Sequence, residues 1–297
     1  MVELDPDWGV IGLGIALQGP ALRALEPLGV LDEVFERGYP YSELELYSGT
    51  GELLGVRPMP RLLGPDRPAS CGIMRPALRS LLAAKLAALE VPVRLGVTVD
   101  ALEDSAGGIE VAFSDGSSGR YDAVVGADGA FSRVRTFLFG DAGRPEFQGQ
   151  LVWRALVPRG GVERLAAIYG ARNTTGFNPV SRDEMYVFLV QNTPERVRLE
   201  RDAVHAPPPH QASGASIALE DADLLAEAIA GSASVCETFA RFVRRRWPRC
   251  RAVVEQSIAI GELQKRGQQT NAEAIARLTA ATSALLAEDP RAAAPLG

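Results

Sequence analysis

The sequence predicts an α/β fold that carries an inserted β-sheet and ends in helices. Three observations lead to it. Residues 75–126 pass through helix, strand, hairpin and strand. Between Phe147 and Leu199 the pattern turns to β-branched and aromatic residues, and from Ser216 onward it is helical. With 297 residues, 46% of them hydrophobic, the chain can build one large or two ordinary domains.

Pro20 to Gly29 reads as a short helix, with Leu22, Leu25 and Leu28 on one face and Gly29 as its stop. Leu44–Tyr47, the turn Gly49-Thr50-Gly51 and Leu53–Val56 form a hairpin. From Arg75 the proline at the helix start and Leu78, Leu81, Leu82, Leu86 and Leu89 define an amphipathic helix. A strand follows at Val93–Val99. Next come a strand at Ile109–Phe113, a turn at Ser114-Asp115-Gly116 and the buried-type strand Tyr121–Gly126. Leu151–Val157 and Met185–Gln191 are the strongest strands of the chain. Helices are expected at Leu219–Leu225, from Val235 to about Gln264 with an interruption near Pro248, and from about Asn271 to Ala287.

A net charge of -6 offers no basic footprint, which argues against nucleic acid or an anionic membrane as partner and leaves small molecules. Cys71, Cys236 and Cys250 have no metal-ligand spacing and suit a reducing compartment as structural thiols. His205 and His210 are the only histidines, too few for a histidine-rich metal site, and no other His remains for a Ser-His-Asp arrangement elsewhere. The first residues lack a basic and apolar leader, and no apolar run is long enough to span a bilayer. A cytoplasmic location is the expectation.

The most informative stretch is Gly126-Ala127-Asp128-Gly129. After a buried strand it presents backbone amides and one carboxylate beside a helix N-terminus, where open α/β sheets bind polar ligands. A bare Gly-x-Asp-Gly is also an ordinary strand-to-helix turn with Asp as a cap. The full pattern Asp128-Gly129-x-x-Ser132-x-x-Arg135 resembles the second fingerprint of the FAD-dependent aromatic-ring monooxygenases, flavoprotein hydroxylases similar to para-hydroxybenzoate hydroxylase. The run from Asp202 through Pro207-Pro208-Pro209 and Ala212-Ser213-Gly214-Ala215 to Asp221 resembles the third.

The resemblance implies an FAD-binding Rossmann-like domain in two parts, residues 1–146 and 200–265. A substrate-binding β-sheet at 147–199 and a C-terminal helix and tail at 266–297 complete the organisation. It also implies cofactor contacts at Glu3 (adenosine ribose), Arg75 (phosphates), Val97 (adenine), Asp128, and Asp202 (ribityl chain). Pro209, Ala212, Gly214 and Ala215 would lie along the isoalloxazine, where amides at a helix N-terminus stabilise negative charge on the reduced ring. Arg244-Arg245-Arg246-Trp247-Pro248-Arg249 matches the family's late basic run and reads as structural, a solvated helix face.

The chain also departs from the pattern. "WGVIGLGIALQG", residues 8–19, has Leu17 where a dinucleotide loop needs its third glycine, and no acidic strand end follows. In the family a similar Gly-x-Gly-Ile-x-Leu lies after the second strand. The expectation is therefore that a strand, its glycine-rich loop and its helix, roughly 30 residues, are missing before Glu3. A segment before Asp202 is expected to be missing as well.

By resemblance the activity is a monooxygenation: NADPH or NADH reduces FAD, O2 adds at flavin C4a, and the hydroperoxide hydroxylates an aromatic or polyketide-like small molecule. No acid–base pair is assigned, because the flavin carries the hard step. Substrate would lie between the sheet bearing Trp153 and Tyr186 and the loop at Pro208. The alternative is a shortened, non-catalytic homologue or binding protein with impaired FAD binding.

Overall fold

A computed structural model of the chain describes residues 1–9, 13–140, 146–170, 173–193, 214–266 and 272–291. In chain order the elements begin with β1 (Val2–Glu3), β2 (Gly14–Gln18), α1 (Gly19–Leu25), α2 (Leu31–Arg37), β3 (Tyr39–Tyr41), β4 (Glu43–Ser48) and β5 (Leu53–Pro58). There follow β6 (Ser70–Met74), α3 (Arg75–Ala88), β7 (Arg94–Leu95), β8 (Val99–Ser105), β9 (Gly108–Phe113), β10 (Ser118–Tyr121) and α4 (Arg133–Phe139). The inserted strands are β11 (Gln150–Pro158), β12 (Leu165–Tyr169), β13 (Asn173–Pro179) and β14 (Glu184–Asn192), and the last helices are α5 (Gly214–Ala230), α6 (Val235–Lys265) and α7 (Ala272–Ala287). The chain divides into two compact units, Met1–Ile11 with Ala83–Phe147 and Gly12–Leu82 with Gln148–Gly297.

In the larger unit β2 runs antiparallel to β6, from Gly14 opposite Met74 to Gln18 opposite Ser70. The glycine-bearing stretch is thus a strand that enters α1 directly, with Pro20 in its first turn. Val10, Ile11 and Gly12 lie outside the described residues. Leu17, Leu22, Leu25, Val34, Ile73, Leu78 and Leu81 form the core between this small sheet and helices α1 to α3. Burial drives the Cys71 thiol up to about 12, so it is a packing group.

The six-stranded sheet has the order β11-β14-β13-β12-β4-β5, antiparallel except where β12 meets β4. The predicted hairpin is therefore an extension of the 147–199 sheet. The two sheets meet closely at Gly72 of β6, where an added Cβ would lie 1.9 Å from the Pro179 carbonyl oxygen. Beside this contact the buried Tyr41 hydroxyl donates to Asn178 Oδ1 at 2.9 Å.

Helices α5, α6 and α7 close on one buried carboxylate. Glu220 of α5 is 2% exposed and accepts from Arg23 of α1 at 2.9 Å, from Arg246 of α6 at 2.5 Å, and from Arg249 through two nitrogens at 2.9 and 3.0 Å. Asp221 takes the Arg246 Nε. The basic run is structural as expected, but its reason was wrong: Arg246 and Arg249 are buried, and Arg244 and Trp247 form the exposed face. Burial lowers the Arg246 guanidinium, yet Asp221 and Glu220 outweigh this and hold it above its ordinary value.

Two further expectations are corrected. Helix α6 runs through Pro248 without interruption, with that proline on its exposed side, where a carbonyl that loses its donor can turn to solvent. Tyr121–Gly126 is not a strand: β10 ends at Tyr121, and Val125 is 56% exposed. The hydrophobic run has no pairing strand among the described residues, and an apolar sequence without a ladder partner cannot satisfy its backbone as a strand.

Gly72→Ala tests the meeting of the two sheets. The backbone oxygen of Pro179 has no flexible end that could yield, so the substitution is expected to cost about 3 kcal/mol. Urea denaturation reads the loss, and an unchanged midpoint would refute the contact.

Candidate functional site

In the smaller unit β1 and β7 pair in parallel, and the Val97 N–H donates to the Glu3 carbonyl at 3.0 Å. Two predicted cofactor residues, Glu3 and Val97, are thereby adjacent. The Glu3 carboxylate turns back to accept the Asp5 N–H at 3.0 Å, while Val97 is buried with Val99, Val111 and Phe113.

Asp128 precedes the short helix α4. Its carboxylate accepts the Ser132 hydroxyl and the N–H groups of Arg133 at 2.7 Å and Val134 at 3.2 Å. Ser132 in turn caps α4 by accepting the Arg135 N–H at 3.0 Å. The chain turns at Gly129, with φ of 79°. Burial pushes the Asp128 carboxyl up, but the hydrogen bonds from Ser132, Val134 and Arg133 outweigh it and hold it below the usual carboxylate range. Asp128 and Ser132 thus each occupy donors that a helix start leaves free.

In the larger unit, Arg75 opens α3 and its N–H donates to the Leu13 carbonyl at 3.0 Å. The Arg75 Nε is buried without a hydrogen-bond partner among the described residues, as is the Arg79 Nε one turn later. Gly214 and Ala215 form the first turn of α5, and the hydroxyl of Ser216 beside them is buried and unpartnered among the described residues. Guanidinium donors at α3 without a partner among the described residues, and the first-turn amides of α5, fit an anionic cofactor. Asp202, Pro208, Pro209 and Ala212 lie outside the described residues.

Trp153 and Tyr186 are not brought together. The ladder sets Trp153 opposite Leu189 and Tyr186 opposite Leu156, which puts the two aromatics on opposite faces of the sheet. Trp153 is 41% exposed and donates its Nε1–H to Gln191 at 2.9 Å. Tyr186 is buried, with its ring against Gly14, where an added Cβ would stand 2.3 Å from Cδ1. Gly14, the third glycine of the stretch at residues 8–19, thus makes room for this ring. Arg154 and Phe188, directly opposed and partly buried on the Tyr186 face, escaped the sequence reading. Alternation along Leu151–Val157 could have placed Arg154 beside Trp153 but on the other face, had the register been known.

Among the described residues no group of three or more metal-ligating side chains occurs, and no helix is long and apolar enough to cross a membrane. An open cleft of about 650 Å³ beside the β4–β5 hairpin, between Tyr39, Met59 and Arg164, contains none of the predicted site residues.

No protein-family model matches the chain. It is 29% identical over 320 residues to the 2-heptyl-3-hydroxy-4(1H)-quinolone synthase of Pseudomonas aeruginosa, covering 89% of this chain and 82% of that protein. It is 24% identical over 313 residues to the Bacillus subtilis protein named "Putative FAD-dependent monooxygenase YetM", covering 86% and 85%. Both alignments are longer than this chain's 297 residues, so each relative carries internal residues without a counterpart here. The fold is similar to that of Klebsiella pneumoniae HpxO, solved with FAD and uric acid, with a TM-score of 0.75 at 19% identity over 97% of this chain and 86% of that one.

The lowered Asp128 carboxyl has a signed consequence. A depressed folded-state pKa stabilises above the ordinary carboxylate value, about 3.9, and that contribution is lost as pH falls through the lower folded value. Asp128→Ala is expected to cost about 1 kcal/mol at pH 7, with the gap to wild type closing below about pH 4. Urea unfolding across pH measures this. A gap that stays constant with pH would show that the carboxylate is not what stabilises the turn.

Proposed function

We propose that this chain, similar over most of its length to FAD-dependent monooxygenases, is itself one and hydroxylates an aromatic or polyketide-like small molecule with NADPH or NADH and O2. The likeness extends through most of the chain and through four fifths or more of each relative's length, which is what carries the reading. A relative named for a quinolone product and a fold neighbour solved with uric acid support a planar heteroaromatic substrate.

When bound, FAD would supply electron transfer and oxygen activation. Arg75 would hold its phosphates by charge-assisted hydrogen bonds. The amides of Gly214 and Ala215, at the positive end of α5, would stabilise negative charge on the ring. Glu3 and Val97 are assigned to the adenosine end, Asp128 and Asp202 to the chain between. Pro208, Pro209 and Ala212 are assigned to the loop over the ring. The Tyr186 face of the six-stranded sheet would orient the substrate and exclude water through apolar contact. Trp153 is left as a surface side chain on the opposite face.

A second reading, a homologue that binds FAD poorly, is favoured by the exposed, unpaired run at Val125. Reconstitution separates the two. Purified chain incubated with FAD and desalted is expected to be yellow and to oxidise NADPH or NADH faster when an accepted aromatic compound is added. Asp202→Ala should lower FAD affinity about tenfold. Protein that stays colourless after reconstitution overturns the enzymatic reading in favour of the second, and unchanged FAD affinity in the variant overturns the placement of Asp202.

A further inference from the structure

Directly opposed residues of an antiparallel ladder share a face. Arg154 stands opposite Phe188 and Leu156 opposite Tyr186, while β13 contributes Gly176 opposite Phe188 and Asn178 opposite Tyr186. Both ends of this face are covered. At one, Tyr186 packs on Gly14 of β2. At the other, Gln264 near the end of α6 bonds Gln150, Asn192 and Thr174. Between them Arg154 and Phe188 remain partly buried, the Phe188 ring lying over Gly176.

The Arg154 guanidinium has no hydrogen bond or ion pair with any described residue. The groups acting on it are the Tyr186 phenol and Arg75, and burial together with the like charge of Arg75 pulls it below its ordinary value. In the helical cluster, by contrast, Glu220 and Asp221 pair with the buried guanidiniums of Arg246 and Arg249. A desolvated guanidinium without a counter-ion is unfavourable unless an anion arrives from outside. Its planar donor fork matches two oxygens of one carboxylate.

We propose that Arg154 determines substrate specificity by binding a carboxylate or enolate oxygen of the substrate, with Phe188 against the substrate's ring. The proposal rests on the assignment of this sheet face to substrate. It leaves Arg75 to the cofactor.

The test is calorimetric titration of the full chain, reconstituted with FAD, using two acid–amide pairs: benzoate with benzamide, and 2-naphthoate with 2-naphthamide. Wild type is expected to bind each acid about tenfold or more tightly than its amide. Arg154→Gln should abolish that preference while keeping the amide affinity and the FAD content, and Arg154→Lys should restore part of it. Equal affinity for acid and amide in wild type overturns the proposal without reference to any variant. So does a preference that survives in Arg154→Gln, or one lost together with FAD, which would assign Arg154 to the cofactor. If the chain takes up no FAD, the same titration of the chain as purified still decides: a preference that depends on Arg154 supports the anion site even as the enzymatic reading fails.

Discussion

The buried carboxylate of Glu220 is the interaction on which the arrangement of the helices depends. An isolated buried charge would be strongly destabilising, so it must be met by opposite charge in good geometry. Here three guanidiniums converge on it, from one early helix and two turns of a late one. Arg249 continues to the carbonyls of Leu285 and Leu286 at the end of α7, and Arg23 to that of Glu288. One side chain thus specifies how α1, α5, α6 and α7 meet. Its contribution is to geometry more than to net stability, since well-packed apolar groups would serve stability as well. The functional consequence lies at the other end of α5: the helix whose first turn contains Gly214 and Ala215 is held by the same carboxylate, so the direction of its N-terminal amides is set by the ion cluster.

A second constraint is the approach of the two sheets of the larger unit. Gly72 and Gly14 let β6 and β2 reach β13 and Tyr186 within distances that no side chain could tolerate. The contact buries Tyr41 and Tyr186, and burial raises both phenols, so both remain neutral packing groups that shape the face on which Arg154 stands. Apolar walls with one unmatched guanidinium make a site that discriminates by charge as well as by shape.

The smaller unit has a different balance. Val97, Val99, Val111 and Phe113 make a compact core, yet Val125, Phe131, Leu138 and Phe139 are exposed. The sequence of 123–126 is written for a strand with neighbours on both sides, and the described residues supply none. Asp128 and Ser132 nevertheless build their turn, because its hydrogen bonds close within seven residues and need no sheet.

What the sequence determined by itself was local. The proline-started α3, the strong strands β11 and β14, the β4–β5 hairpin and the Asp128 turn all follow from interactions within a few residues, as does the first turn of α5. The tertiary structure decided what depends on partners far along the chain. Periodicity shows that Trp153 and Tyr186 sit on strands, but only the register puts them on opposite faces. A run of arginines looks solvated until a glutamate some 26 to 29 positions earlier buries two of them. Arg154 was invisible for the same reason: a lone cation becomes meaningful only when the fold removes it from water and gives it no carboxylate.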